Sequence, residues 1–463
     1  MDELIYASVV TMAQAMREKK VSAKEVVEAH LRRIEAVNPA LNAVVYTVSE
    51  RALDEAQAAD QALARGEIKG PLHGVPMTIK DSLDTAGVVS TGGTKGRADF
   101  VPEHDATVVA RLRAAGAILL GKTNTPELTL AGETDNLIYG QTNNPYDLSR
   151  TPGGSSGGAG AIIAAAGSPL DIGSDTGGSI RLPAHFCGIA GLKPTSGRVP
   201  RTGHIVPFGL GAVDSLTQNG PMARYVEDLI LTLPIIAGVD WHDPGIVPMP
   251  LGVPAAVDLR SLQVAMHTDN GIKAPTPEIT AAVQTAAAAL VDAGLFVTAD
   301  RPLALERAFE LSRTLSGGDG RAWVRRLLSK AGTTAIHPWI MRRLDEAQPL
   351  GVAEYTAMLE EVDRFRSEML AFMQHYDVIL CPVCAFPAPP HGTTFTEEMW
   401  KGFSYTGAYN MTGWPGAVVR AGTSPEGLPI GVQIVARPWR EDVALAVARH
   451  LETALGGWQR PAL

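Results

Sequence analysis

The stretch from Thr151 to Arg181, TPGGSSGGAGAIIAAAGSPLDIGSDTGGSIR, decides how the rest of the chain is read. It holds two glycine-rich turns that carry serine, Gly153-Gly154-Ser155-Ser156-Gly157-Gly158 and Thr176-Gly177-Gly178-Ser179. Between them, the small residues from Ala159 to Ala166 predict a tightly packed helix, and Leu170 to Gly173 a short apolar strand. Glycines beside a serine let the backbone approach a ligand closely and turn its N–H groups inward. That is the local chemistry of a nucleophile with an oxyanion hole, or of a phosphate cradle. Neither G-x-x-x-x-G-K-[ST] nor G-x-G-x-x-G spacing is present, which weakens the phosphate reading.

Two further motifs bracket this stretch. Upstream, Gly74-Val75-Pro76-Met77-Thr78-Ile79-Lys80-Asp81 reads as a strand with Val75, Met77 and Ile79 on one face and a lysine at its end. Downstream lies Phe186-Cys187-Gly188-Ile189-Ala190-Gly191-Leu192-Lys193-Pro194-Thr195. In this order, the three motifs resemble the amidase signature family of serine hydrolases. Weaker similarity runs from about Val21 to Pro221 and returns at Asp377 to Pro390 and Gly431 to Pro438.

The resemblance implies an α/β fold, a mixed central β-sheet sandwiched between helical layers. No clean interdomain linker is visible, so one amidase domain is expected over residues 1–463, with a signature core at about 70–220. Motif by motif, the resemblance makes Ser179 the nucleophile, Ser155 a bridging serine after a cis peptide bond, and Lys80 the base. The backbone at Thr176, Gly177, Gly178 and Ser179 becomes the oxyanion hole, with Asp175, Arg181 and Ser156 holding the turns in shape. No cofactor or metal is implied. The reaction is amide hydrolysis through an acyl-enzyme, and family members also cleave esters and carbamates (urethanes).

Elementary chemistry sets conditions on this scheme. A serine hydroxyl is a weak nucleophile and needs a base. Loss of one oxyanion donor costs about 3 kcal/mol. An unperturbed lysine has a pKa near ~10.4, so burial must lower that of Lys80 by roughly three units.

Composition narrows the alternatives. The chain has 463 residues, 45% apolar and 19% charged, enough for a large core and against disorder. A net charge of −9 without a Lys/Arg block argues against a nucleic-acid surface. No signal-peptide pattern or membrane-length apolar run is present, and three cysteines imply no disulfide framework, so a cytoplasmic location is expected. A small-molecule amide or carbamate is the expected partner, acting on a monomer or homodimer with no membrane involved.

Elsewhere, helices are expected at Thr11 to Lys19, at Ala23 to Ala36 from a Ser22/Glu25 capping box, at Ser49 to Ala64 and after an Asp105 cap. Strands are expected at Gly116 to Leu120, Leu262 to His267, Gly294 to Ala299 and Val378 to Leu380. Residues from about 303 to 350 form a helical excursion around Gly317-Gly318-Asp319-Gly320, either a pocket wall or lid or a surface helical pair. Its Phe309, Trp323 and Trp339 offer aromatic walls.

By family placement, Leu137, Ile138, Tyr139 and Gly140 border the acyl pocket. Because Asn136 to Gln141 carries no charge, uncharged hydrophobic or aryl amides are expected, with the packing of these residues into the core as the alternative. Gly153-x-Ser155-x-Gly157 matches a G-x-S-x-G elbow but lacks the preceding strand. Cys381 and Cys384 lack the further ligands of a structural zinc, and His73 reads as a structural hydrogen-bonder. The competing function is the A subunit of a tRNA-dependent amidotransferase. That subunit typically carries Phe-Ala-Met-Gly then Ser-Thr-Glu where this chain has Leu128-Thr129-Leu130-Ala131-Gly132-Glu133-Thr134-Asp135-Asn136.

Overall fold

In the computed structural model, which describes residues 3–463, the first two helices begin where side chains satisfy free N–H groups. Helix α1 (Val9–Arg17) starts at Ser8, whose hydroxyl accepts the Thr11 N–H, and α2 (Ala23–Leu41) starts at the Ser22/Glu25 capping box. Helix α2 passes through Asn38-Pro39 instead of stopping before it. Pro39 removes a hydrogen bond only in the last turn, Leu41 is fully buried, and Asn38 Oδ1 accepts the departing N–H groups of Ala43 and Val44. Strand β1 (Val44–Thr47) and helix α3 (Ser49–Ala64) follow.

The strands divide into two sheets. In the smaller, β2 (Pro76–Lys80) lies parallel to β3 (Ile118–Thr123), with Lys80 opposite Thr123, and β1 pairs antiparallel with β3. Helix α4 (Thr107–Ala114) makes the crossover that a parallel pair requires. Asp105 does not cap it. Its carboxylate accepts the Ala86 N–H at 2.8 Å and pairs with Arg113 at 3.0 Å.

The larger sheet is mixed. Its strands are β4 (Leu170–Asp175), β5 (Ala190–Lys193), β6 (Gln218–Ala223), β7 (Gln263–Met266), β8 (Phe296–Ala299), β9 (Val378–Pro382), β10 (Gly416–Thr423) and β11 (Pro429–Ala436). They lie in the order β4-β6-β5-β10-β11-β9-β7-β8, antiparallel as far as β9 and parallel beyond it.

Alternation along β10 sorts the two faces. Ala417 and Val419 pack in one core with α7 (Val226–Ile236), α8 (Pro277–Asp292) and α15 (Glu441–Leu455). Val418 instead joins Ala184 and Phe186 of α6 (Arg181–Phe186). Helix α5 (Gly157–Ala164) is buried along its whole length because its residues are small. A Cβ at Gly158 would sit 2.3 Å from the Asn124 nitrogen.

A second core gathers around α9 (Ala308–Gly317), α10 (Ala322–Ala331), α11 (Pro338–Asp345), α12 (Val352–Phe372) and α14 (Ser404–Met411). Trp323 lies in it, buried, with its indole N–H on the Ser316 carbonyl, so it forms no pocket wall. A short helix, α13 (Glu397–Gly402), leads into α14. Among the described residues, no helix is long and apolar enough to cross a membrane.

Candidate active site

Strand β2 ends in a lysine with no access to solvent. Lys80 Nζ reaches three serine hydroxyls, Ser155 at 2.7 Å, Ser156 at 2.9 Å and Ser174 at 3.0 Å. Burial pulls its pKa down to about 7, although the Asp171 and Asp175 carboxylates pull the other way. A neutral amine has two N–H groups and one lone pair, so its three neighbours need not play the same part. Ser156 Oγ bonds the Ser174 carbonyl at 3.3 Å, and Ser174 Oγ has His204 Nε2 at 2.9 Å. With the Ser156 proton spent there, and the Ser174 proton spent on Nε2 in the His204 tautomer whose Nδ1–H donates to the Val206 carbonyl, both oxygens accept from the amine. The Ser155 hydroxyl is left to face the lone pair.

Ser155 follows a cis Gly154–Ser155 peptide, in a loop where a Cβ on Gly154 would meet the Ala131 and Glu133 carbonyls at 2.8 Å. The second turn is tied to the first by the Ser156 N–H on the Ser179 carbonyl at 3.2 Å. Ser179 itself is half-buried and Gly177 beside it is exposed. The Ser179 hydroxyl bonds to no protein group among the described residues, so the geometry brings Lys80 and Ser155 together and leaves Ser179 open.

Asp175 shapes that turn. Burial alone would raise its pKa. A two-point pair with Arg181, at 3.0 and 2.9 Å, and a 2.9 Å bond from Asn410 instead hold it well below the usual carboxylate range. Arg181, also fully buried, spends its remaining N–H groups on the Thr406 carbonyl and on Gln433 and Asn410. Asp175 also accepts the Gly178 N–H at 2.8 Å, which takes Gly178 out of the expected set of oxyanion donors. Among the described residues, the N–H groups of Thr176, Gly177 and Ser179 have no protein acceptor. These three remain available to an oxyanion.

Several groups around the lysine have only weak sequence signals. Asp171 fastens the two sheets together, accepting from Thr78 Oγ1 at 2.7 Å, Thr123 Oγ1 at 3.0 Å and the Lys80 N–H at 3.0 Å. Burial raises its pKa to about 6. An acid inside the apolar run Leu170-Asp171-Ile172 was its only trace in the sequence. Burial, reinforced by the Lys80 charge, lowers His204 to about 3, so it stays neutral. Ser174 lies within the signature stretch, but nothing local marks it or His204.

A cavity of about 550 Å³ opens beside Gly177, walled by Phe309, Trp339, Phe395, Trp400 and Phe403. Trp339 and Trp400 stack at 5.8 Å, and the Trp339 indole N–H donates to the Leu130 carbonyl at 3.2 Å. The segment from Leu137 to Gly140 does not line this cavity. Asn136 Oδ1 accepts the Ile138 and Tyr139 N–H groups, and Asn42, just past α2, donates to the Tyr139 carbonyl. The turn is thereby drawn toward α2. Tyr139 lines a separate hollow with Asn38 and Asn42, Leu137 is exposed, and the Gly140 carbonyl accepts from Asn124.

The remaining candidates are structural. His73 bridges the Ala59 carbonyl and the Lys69 N–H. The Cys381 thiol lies against Gln433 and Tyr409, and burial pushes the Cys384 thiol up.

The chain resembles known proteins over nearly its whole length. Human fatty-acid amide hydrolase 2 is 36% identical to this chain, over 99% of it and 91% of the human protein. The A subunit of the glutamyl-tRNA(Gln) amidotransferase of Moorella thermoacetica is 35% identical, over 97% of both chains. The solved structure of 6-aminohexanoate cyclic dimer hydrolase with its substrate superposes with a TM-score of 0.87 at 31% identity, covering 99% of each chain. The amidase family model matches residues 25–445, and the chain belongs to that family.

Proposed function

We propose that the protein hydrolyses amides by a serine acyl-enzyme route, with Ser179 as nucleophile, Ser155 as proton bridge and Lys80 as base. Its substrates in this reading are hydrophobic or aryl amides, with carbamates and esters open to the same chemistry. The observation that carries the proposal is a lysine lowered to about 7 and lying 2.7 Å from a serine in a loop tied to the Ser179 turn.

Ser179 Oγ attacks the acyl carbon as Ser155 takes its proton and passes its own to Lys80. The carbonyl oxygen becomes an oxyanion facing the Thr176, Gly177 and Ser179 N–H groups. Return of the proton through Ser155 to the leaving nitrogen breaks the C–N bond and frees the amine. Water then enters by the same relay and releases the acid. The aromatic walls favour a ring or long acyl chain, each buried methylene adding about 0.8 kcal/mol.

The amidotransferase subunit is the second reading, favoured by the similarity to such a subunit. Rates for acetanilide, an aryl carbamate and glutamine on one preparation separate the two. Hydrolysis of the aryl compounds by the isolated chain is expected, and a preference for glutamine supports the amidotransferase reading. Ser179→Ala is expected to abolish turnover and organophosphate labelling. Full activity in that variant with none in Ser155→Ala would move the nucleophile to Ser155.

A further inference from the structure

Charge does not balance in the aromatic cavity. Besides its rings, the cavity beside Gly177 is lined by Arg313, Arg321, Arg342, Arg343, Glu346 and Glu397. Arg313 pairs with Glu397 at 3.5 Å and with Glu310 at 3.1 Å, and Arg342 pairs with Glu346 at 2.8 Å. These partners account for both lining carboxylates. Among the described residues, the guanidinium groups of Arg321 and Arg343 make no ion pair and donate no hydrogen bond.

Arg343 is held in place by aromatic rings. The Arg343 guanidinium carbon lies 5.3 Å from the ring centres of Trp339 and Trp400, so two stacked indoles fix its position. Arg321 occupies the left-handed region at φ 56°, where a long side chain is uncommon, as the residue before α10. The carboxylate nearest to it in sequence, Asp319, is engaged by the Ala322 and Trp323 N–H groups at 3.1 and 3.0 Å. Burial, and then the Arg321 charge, lower the Arg343 pKa to about 9, so the two cations are close enough to oppose each other. Asp319 and Glu346 lie within electrostatic range of Arg321 and Arg343 respectively, but neither forms an ion pair with them, so both guanidiniums keep N–H groups free for an anion in the cavity.

We infer that Arg321 and Arg343 form a carboxylate subsite, and that this enzyme takes aryl amides whose ring carries an anionic group. A guanidinium donates two parallel N–H bonds to a carboxylate, while Trp339, Trp400 and Phe309 hold the ring. This departs from the uncharged substrates expected from the segment at Leu137. It rests on the amide-hydrolase reading, because the cavity meets the reacting loop at Gly177.

Matched substrates test it. On the amine side, 4-acetamidobenzoate is compared with acetanilide. On the acyl side, 4-carboxyphenylacetamide is compared with phenylacetamide. The wild-type chain is expected to favour the carboxylate member at one or both ends by at least tenfold in kcat/KM, and less so as salt rises. Arg321→Gln and Arg343→Met are each expected to reduce that ratio at least tenfold, and Arg343→Glu to invert it. Calorimetric titration of Ser179→Ala with the same four compounds reads binding without turnover, and the carboxylates are expected to bind at least tenfold tighter.

Hydrolysis of both members without preference for the acid, or a preference unchanged in both arginine variants, overturns the subsite. Selective binding of the carboxylates without hydrolysis of any compound overturns the amide-hydrolase reading and leaves the subsite standing.

Discussion

At the scale of single residues, the site depends on how four side chains share protons around one nitrogen. Lys80 acts as a base only when neutral, so activity is expected to fall below about pH 7 and reach a plateau above it. Lys193 is also lowered to about 7 by burial, but its ammonium bonds the Pro194 carbonyl, away from the serines. Lys80→Met is therefore expected to remove both the rate and the limb, whereas Lys193→Met keeps the limb. A limb near pH 6.5 that survives in Lys80→Met would remove lysine from the base role.

His204 holds Ser174, and Ser174 accepts from Lys80. Losing that hydrogen bond is worth about 1–1.5 kcal/mol, so His204→Ala is expected to lower kcat about tenfold with KM unchanged. A loss confined to KM would put His204 beside substrate instead. The sequence made Lys80, Ser155 and Ser179 legible because each lies in a motif whose neighbours are themselves informative. Ser174 and His204 were illegible because their meaning arises only when a distant loop closes on β4.

At the scale of elements, the helices announced themselves and the sheets only partly did. The Ser22/Glu25 capping box fixes the start of α2, and the pattern of α3 gives both its ends. The strands at Pro76 and Ile118 were legible as buried apolar runs. Their separation into a sheet of their own was not, since pairing partners are chosen by tertiary contact. The cavity was legible in part, since Phe309 and Trp339 of the 303–350 excursion line it as expected, while Phe395, Trp400 and Phe403 were not foreseen. Its walls come from α9, α11 and α13, which sequence places far apart, while the segment that looked best suited is drawn toward α2 by Asn136 and Asn42.

Asp171 is the element-scale device that matters most, because it joins both sheets under the reacting lysine. Asp171→Asn replaces one accepting oxygen by a donor against three donors. A displacement of about 1 Å in a catalytic group costs about 100-fold, and a loss of that order in kcat is expected, with KM held. Unchanged kcat in a folded Asp171→Asn protein would show that the serines alone position Lys80.

At the scale of the whole molecule, the interior holds titratable groups of opposing sign. Burial lowers Lys80 and Lys193 to about 7 and Lys122 to about 8. Each releases a proton on folding between that value and the unfolded value near ~10.4, so each adds stability as pH rises through this window. Burial raises the thiols of Cys187, Cys381 and Cys384. They oppose the trend only above the unfolded thiol value of about 8.5. The carboxylates of Asp228 and Glu452, raised to about 7 by burial, have lost their stabilising contribution by then. Tm is accordingly expected to rise from pH 7 to about 8.5 and then level. Scanning calorimetry in overlapping buffers checks this, and a lower Tm at pH 8.5 than at pH 7 contradicts it.

In the proposed mechanism the base stands on the small sheet and the nucleophile follows a strand of the large one, with the Asp171 carboxylate across the seam. Ser179 without Lys80 is an ordinary alcohol, and Lys80 released into water is a protonated ammonium with no lone pair to offer. Reactivity therefore belongs to the docking of two half-sites rather than to either half. On that mechanism a nascent or partly cleaved chain is expected to expose no acylating serine to the esters and amides around it.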